Sequence, residues 1–474
     1  MTRTMPARGP ELSVRSTAIP GLLVVTMPVH GDSRGWFREN WQRAKMVAEG
    51  LPDFTPVQHS LAYNAARGTT RGIHAEPWDK FVSVASGRAF GAWVDLREGP
   101  SYGAVHTEEL TEDTAVFVPR GVGNSYQTLV PDTTYSYLVN DHWSADAAYT
   151  NLNLGDPTVA VPWPIPLEQA VRSEKDLGHP SLADVRAVRP PGVVILGGTG
   201  QLGKALAAQF PQARVLGRAE CDLADPSSVA ALDVPRGGTV LNAAAYTAVD
   251  AAQTAQGRAA AWAANATGVA ALVRRVAEQR ATLVHYSSDY VFDGTGGSGP
   301  DGAYLEEDPV APLGVYGQSK LAGDLAVGTL PRHYLVRTSW VVGEGANFVR
   351  TMQRLARDGV RPTVVDDQVG RLTFTTELAR ATAHLLAGDA PFGTYNVTCS
   401  GTPTSWAELA GAVFEHEGRD PGDVTPVSTA DYLSGRTGET APRPAVSTLH
   451  LGRIEETGYR PTDQAAALRD YLAG

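Results

Sequence analysis

Tyr316-Gly-Gln-Ser-Lys320 sets a phenol and an ammonium four residues apart. On an α-helix that spacing puts both on one face. A cation beside a phenol favours phenolate, so the pair can exchange a proton with a carbonyl or alcohol oxygen near neutral pH. Upstream, Ser287-Ser-Asp289 ends an apolar run that begins at Thr282, which places two hydroxyls and an acid at a strand end. The first half of the chain holds a second set: Arg71-Gly-Ile-His74, Lys80, Tyr135-Ser-Tyr137 and Ser173-Glu-Lys-Asp176. Period-two alternation puts Tyr135 and Tyr137 on one face of a strand. A His, a Lys, an Arg and a Tyr on the inner wall of a small barrel would be costly to bury without a chemical role. They suit proton abstraction beside a carbonyl, which needs a base, a partner to orient it, a donor for the enolate oxygen and an acid on the far face.

Two kinds of scaffold must position these groups. Val193-Val-Ile-Leu-Gly-Gly-Thr-Gly-Gln-Leu-Gly203 reads as strand, glycine turn and helix, with glycines at Gly197, Gly200 and Gly203 and helical spacing from Gln201 through Leu202, Leu206 and Phe210. Such a unit cradles a pyrophosphate, because glycines let the backbone come close and the helix offers free N–H groups. Arg214-Val-Leu216 reads as the second strand, followed by Gly217-Arg218. An acid at that strand end would bind the 2′-hydroxyl of NAD, whereas Arg218 can accept a 2′-phosphate. The expected cofactor is NADPH, with NADH the alternative. Thr239-Val-Leu-Asn242 is a third strand, and Ala243, Ala244 and Ala245 after it are small enough for a cofactor to pass. A helix is expected from about Ala259 to Gln279. The second half is therefore expected to be an α/β doubly wound parallel sheet of the Rossmann kind with a small substrate-binding subdomain.

Residues 1–185 read as all-β. Leu22–Thr26, Phe81–Ala85, Ala89–Asp95 and Thr114–Val118 are short strand-like runs separated by Gly, Pro and Asp clusters, with one helix around Ala44 to Glu49. Many short strands at such spacing suggest a sandwich or jelly roll. A linker is expected at 186–191, where Pro190-Pro-Gly192 breaks the pattern, and the second domain at 192–474.

Composition excludes several classes. The 474 residues carry a net charge of −11, which argues against nucleic acid or an anionic membrane as partner. Cys221 and Cys399 are the only cysteines and fit neither a disulfide framework nor zinc spacing. None of the eleven histidines forms a His-x-His pair, so the usual cupin metal arrangement is missing and no metal is expected. Met1 to Arg8 lacks the apolar core of a signal peptide. No apolar run reaches the ~18 residues that span a bilayer. A cytoplasmic protein is expected.

The first half resembles the dTDP-4-dehydrorhamnose 3,5-epimerase family, a cupin-like jelly roll, from about Ile19 to Asp184. The matching segments are Asp32-Ser-Arg-Gly-Trp-Phe-Arg-Glu39, Arg71-Gly-Ile-His74, Val94-Asp-Leu-Arg97, Val118-Pro-Arg-Gly121, Tyr137 and Ser173-Glu-Lys-Asp176. The resemblance implies His74 as base, Asp176 as its orienting carboxylate, Lys80 at the enolate oxygen and Tyr137 as proton donor on the opposite face. It also implies that Arg34 and Arg71 meet the nucleotide phosphates, that Phe37, Glu39 and Gln58 hold the thymidine, and that this unit pairs as a homodimer. Three departures bear on sugar specificity and on whether one carbon or two is epimerised: a short His74–Lys80 segment, Asn124 where the family has His, and Leu138 where Lys is common.

The second half resembles the extended short-chain dehydrogenase/reductases and, more narrowly, dTDP-4-dehydrorhamnose reductase. The narrow motifs are Gly197–Gly203, Asn242–Asp250, Ser287–Gly294, Arg337-Thr-Ser-Trp-Val341, Asp367-Gln-Val-Gly370 and Ala441-Pro-Arg-Pro444. The resemblance implies that Tyr316 donates a proton to the C4 oxygen while the nicotinamide delivers hydride. Ser288 would hydrogen-bond that oxygen, and Lys320 would hold the ribose and tune Tyr316. Asp222 and Leu223 resemble the turn that flanks the adenine. Asp289, Tyr290 and Trp340 would touch the sugar, and Val249 and Arg443 would help place the nucleotide. The implied whole is a bifunctional enzyme making dTDP-L-rhamnose. The alternatives are another dTDP-6-deoxyhexose such as 6-deoxy-L-talose, or one half kept as a binding module.

Overall fold

The computed structural model describes residues 11–144, 147, 149–189, 192–387, 390–434 and 438–473. The chain divides into two compact units, Met1–Pro190 and Pro191–Gly474. Residues 1–10, which include the Met1–Arg8 stretch expected not to be a signal peptide, lie outside the described part, as do Pro190 and Pro191 around the expected linker. Val188, also in that stretch, exchanges backbone hydrogen bonds with Leu96 and Glu98.

The first unit is built from two antiparallel sheets. One runs in the order Ser13–Ser16, Leu23–Thr26, Thr114–Val118, Lys80–Ser86, Thr133–Val139, Gln58–Asn64. The other runs Thr150–Asn151, Thr70–Ala75, Val122–Thr128, Ala89–Asp95, Val105–Leu110. From Gln58–Asn64 to Thr150–Asn151 the chain changes sheet at every strand except between Ala89–Asp95 and Val105–Leu110, as in a jelly roll. Val82, Val84, Trp93, Val116, Tyr126 and Tyr135 close the space between them. The strands bearing His74 and Tyr137 each carry a register shift, at Asn124/Tyr126 in the partner of the first and at Thr134/Tyr135 in the second, and polar residues further hide their alternation in sequence. Gly72 takes φ +125°, and a Cβ there would stand 2.8 Å from Asn124 O, so the strand segment Arg-Gly-x-His requires glycine at that point. The helix expected near 44–49 is Arg43–Ala48, capped by the Gln42 side chain.

The second unit holds a six-stranded parallel sheet in the order Arg214–Leu216, Val193–Leu196, Thr239–Asn242, Thr282–Ser288, His333–Thr338, Gly393–Asn396. Leu206, Leu378 and Leu385 pack helices Gln201–Gln209 and Thr375–Ala387 on one face. Val269, Leu272, Val276 and Val327 pack Gly268–Glu278 and Val315–Val327 on the other. The chain reverses direction across the sheet on either side of Val193–Leu196, which makes a switch point at its carboxyl end. A smaller lobe has its own core of Val349, Met352, Phe374, Leu409, Val413 and Phe414.

The helix expected over 259–279 starts earlier and is interrupted. It runs Ala255–Trp262, opens into a π turn at Ala263–Thr267 and resumes at Gly268. The turn aims Asn265 at the loop beyond the third strand. Its Oδ1 accepts from Tyr246 N at 2.9 Å, and its Nδ2 donates to Tyr246 O at 3.0 Å and Ser319 Oγ at 3.1 Å. Among the described residues, no helix is long and apolar enough to cross a membrane.

Two candidate active sites

In the jelly roll, the strand Thr70–Ala75 carries His74, and the short helix Glu174–Leu177 carries Asp176. Ser173 caps that helix by accepting from Asp176 N at 3.1 Å, which sets the carboxylate's direction. His74 Nε2 donates to Asp176 Oδ1 at 3.1 Å. The ring proton therefore sits on Nε2, and Nδ1 keeps its lone pair. Burial lowers the His74 pKa, while Asp176 pulls it up; the net shift is downward, so the ring is a neutral base at pH 7. Lys80 is buried beside it, and burial pushes its ammonium down to about 7. Glu76 pairs with Lys80 and opposes that shift, because an anion favours the charged form.

The Tyr126 phenol is close enough to Arg71, Tyr137 and Asp176 to feel all three. Tyr135 stacks on Tyr126 with centroids 4.0 Å apart, and Tyr137 lies 6.4 Å further along the same face, as alternation requires. Asn124 pairs with His74 in register and accepts from Trp93 Nε1 and Tyr135 OH. Arg71 donates to Asn64 Oδ1 at 3.1 Å. Gln58 donates to Ser60 Oγ and accepts from Trp143 N.

The other expected nucleotide contacts stand apart. Arg34 is ion-paired to Asp32, Glu39 to Lys45, and Phe37 is 65 % exposed. Among the described residues, no hydrogen bond, ion pair or ring contact joins these three to His74, Asp176 or Lys80. Sequence reasoning missed Glu76, although Glu76 and Lys80 are spaced like an i,i+4 pair. It also missed His179. The expectation of no metal ligands rested on the missing His-x-His, yet the fold gathers His74, Asp176 and His179, with one ligand atom from each and all within 4.8 Å of one another.

In the second unit, the glycine loop lies at the switch point. A Cβ on Gly197 would stand 2.7 Å from Ala244 N, and one on Gly203 would stand 2.1 Å from Gly197 O. Strand, loop and helix thus touch backbone to backbone, and Gly200 caps the helix without a side chain. The free N–H end and the alanine wall of Ala243, Ala244 and Ala245 fit a dinucleotide. Gln201 donates to Ala346 O at 3.2 Å, and Leu202 packs on the core. Arg218 is exposed just past the second strand, Asp222 Oδ1 accepts from Ala224 N, and Leu223 is buried.

Tyr316 and Lys320 share helix Val315–Val327, and Ser288 ends the strand Thr282–Ser288. Gly317 lets the helix close on Tyr290 O, where a Cβ would be only 2.1 Å away. Tyr290 and Tyr316 meet edge to face at 5.6 Å. Ser288 Oγ donates to Asp289 Oδ1 at 2.8 Å. Burial pushes the Asp289 carboxyl up to about 6.

One expectation is corrected. Lys320 does not depress the Tyr316 phenol: burial, then Asp289 and Tyr290, raise it. The Lys320 ammonium instead donates to Tyr286 O at 2.7 Å and faces His285 Nε2 at 3.3 Å. His285 is itself held by Asn242 at 2.9 Å. Burial lowers Lys320 to about 8 against the pull of Asp324.

Arg443 forms a two-pronged pair with Asp250 at 2.8 and 2.9 Å, which brings the Ala441–Pro444 segment to the loop that carries Val249. Trp340 is held at φ +41° and stacks on Trp406 with centroids 3.7 Å apart. A tryptophan in that region of backbone space is strained, as at ligand sites. His285 and Asn265 were missed because an apolar strand and a helix interior gave no sign of what they would face.

A histidine–carboxylate pair beside a buried lysine in one unit, and a glycine-loop parallel sheet with a Tyr-x-x-x-Lys helix in the other, fit an isomerase joined to an oxidoreductase. Comparison with known proteins gives the families. Residues 16–184 match the model for dTDP-4-dehydrorhamnose 3,5-epimerase, and residues 192–474 match that for the RmlD substrate binding domain. The first part is 45 % identical over 178 residues to a Protein RmlC homolog of Streptococcus pyogenes, a stretch covering 36 % of this chain and 90 % of that protein. The second is 39 % identical over 282 residues to dTDP-4-dehydrorhamnose reductase of Mycobacterium tuberculosis, covering 58 % of this chain and 90 % of that protein. It also superposes on the Bacillus anthracis dTDP-4-dehydrorhamnose reductase solved with NADP, with a TM-score of 0.53 and 30 % identity, covering 60 % of this chain and 98 % of that one. The chain belongs to both families. It carries an epimerase unit and a dTDP-4-dehydrorhamnose reductase unit in one polypeptide.

Proposed function

We propose that the first unit epimerises C3 and C5 of dTDP-4-keto-6-deoxy-D-glucose and that the second reduces the C4 ketone to give dTDP-L-rhamnose. The observation that carries this is the His74–Asp176 pair beside buried Lys80, in one chain with Ser288, Tyr316 and Lys320. His74 Nδ1 takes the proton next to the ketone. Asp176 holds the ring and stabilises the imidazolium that forms. The Lys80 ammonium hydrogen-bonds the enolate oxygen, and Tyr137 returns a proton on the opposite face. Arg71 and Gln58, with Arg34, Phe37 and Glu39, bind the nucleotide.

In the second unit, NADPH when bound supplies the hydride to C4. The Gly197–Leu202 loop and Ala243–Ala245 hold it, with Asp222 and Leu223 by the adenine and Arg218 on the 2′-phosphate. Tyr316, kept protonated by its raised pKa, gives its proton to the C4 oxygen, which Ser288 hydrogen-bonds. Lys320 turns to the ribose. Asp289, Tyr290 and Trp340 line the sugar, and Val249 and Arg443 place the nucleotide. Fusion suits the chemistry, because the epimerised ketone equilibrates with its precursor and reduction draws it off. We further propose a cytoplasmic homodimer joined through the jelly-roll units, supported by exposed Trp36, Phe37, Leu61 and Tyr63.

The test is a single-pot assay with the keto sugar and NADPH in deuterated water, followed by NMR of the product. Cofactor oxidation with deuterium at C3 and C5 and the L-rhamno configuration at C4 is expected. The L-talo configuration, or deuterium at one carbon, would assign another deoxyhexose. Deuterium uptake without oxidation would leave an epimerase alone, and neither signal would overturn the reading.

A further inference from the structure

His179 is 8 % exposed, and neither of its ring nitrogens has a hydrogen-bond partner. A buried polar group left without a partner is destabilising, so its retention calls for a ligand. The backbone holds it there: Asn153 donates to His179 O at 3.2 Å and to Pro180 O at 2.9 Å. Its Nε2 lies 3.9 Å from Asp176 Oδ1, the oxygen that accepts from His74 Nε2 at 3.1 Å, and its ring meets His74 edge to face at 5.2 Å. A tetrahedral ion with bonds of about 2.0–2.1 Å needs ligand atoms about 3.4 Å apart. The two separations straddle that value, and imidazole, imidazole and carboxylate are ligands of borderline-soft divalent ions.

We propose that His74, Asp176 and His179 form a binding site for a divalent transition-metal ion of the Zn²⁺ type, and that filling it switches the epimerase unit off. The coordinating atoms are His74 Nε2, His179 Nε2 and Asp176 Oδ1, with solvent completing the shell. The switch follows from tautomerism. A neutral imidazole bound to metal through Nε2 must carry its proton on Nδ1. The proton that Nε2 holds in its hydrogen bond to Asp176 leaves as the ion binds, solvent returns one to Nδ1, and the lone pair that takes the substrate proton is gone. No net proton is lost from His74 and no redox step occurs. The binding rests on geometry alone, whereas its consequence for exchange rests on the epimerase reading above.

The full chain is stripped with chelator and titrated with ZnCl₂ by calorimetry and with CoCl₂ by visible absorption. Solvent-deuterium exchange into the keto sugar is followed alongside. Wild type is expected to bind one ion at this site with low-coordinate Co²⁺ bands, to lose exchange at least tenfold when filled, and to regain it on chelation. His179→Ala, and His179→Asn should the first misfold by circular dichroism, are expected to exchange within threefold of wild type without metal. They should bind Zn²⁺ at least tenfold more weakly and keep exchanging in its presence. Equal Zn²⁺ affinity in wild type and variants, or no binding below millimolar Zn²⁺, overturns the site. A metal-free wild type that exchanges no deuterium overturns the epimerase reading instead, and calorimetry still decides the metal site.

Discussion

His74 and Asp176 are 102 residues apart in the chain and 3.1 Å apart in the fold. The carboxylate fixes which ring nitrogen carries the proton and so which one can act as base. Asp176→Asn keeps the shape but not the charge, and its amide can present either face to Nε2. Deuterium exchange into the keto sugar should fall by about 10²-fold or more, with NADPH oxidation on pre-epimerised substrate unchanged. Exchange within twofold of wild type would remove Asp176 from the mechanism.

Glu76 is ion-paired to Lys80, whose ammonium burial lowers to about 7. Glu76→Gln removes the anion that favours ammonium, so the Lys80 pKa should fall further. Exchange should then drop more steeply at pH 8 than at pH 6, because acid restores the cation. A pH profile with an unmoved limb would show that Glu76 does not tune Lys80.

Asp289 has its carboxyl raised from 3.8 to about 6 by burial. The folded state therefore holds a proton that the unfolded state has released. Stability from this group is intact below about pH 4, falls as pH rises to about 6 and is level above. The loss is of the order of 3 kcal/mol at most, since one pKa unit is about 1.4 kcal/mol. Asp289→Asn should raise Tm relative to wild type more at pH 8 than at pH 4.5. An equal offset at both values would mean that Asp289 ionises normally.

Arg218 follows the second strand of the nucleotide-binding sheet and points to solvent. Arg218→Ala should raise KM for NADPH about tenfold and leave KM for NADH nearly unchanged, because a charge-assisted contact to the 2′-phosphate is lost. Parallel changes for both cofactors would place Arg218 elsewhere.

Much of the site was legible because its signals are local. Gly197, Gly200 and Gly203 announce a turn that only small residues allow, and Tyr316 with Lys320 announces a helix face. The strand with His74 was harder to read, since a half-polar strand in a jelly roll alternates weakly. The π turn around Asn265 left no mark, and the loop that its side chain hydrogen-bonds lies 19 residues earlier in the chain.

By itself, the sequence determined the order of strands, loops and helices, the two-family division and the types of the reacting groups. These depend on side-chain period and backbone sterics, which act over a few residues. Tertiary structure alone decided which groups meet and what state they hold. It turned Lys320 to His285, raised Tyr316 rather than lowering it, paired Lys80 with Glu76 and left His179 unpartnered beside the dyad. Those outcomes come from desolvation and from charges contributed by distant segments. Both act through space, so a linear pattern does not carry them.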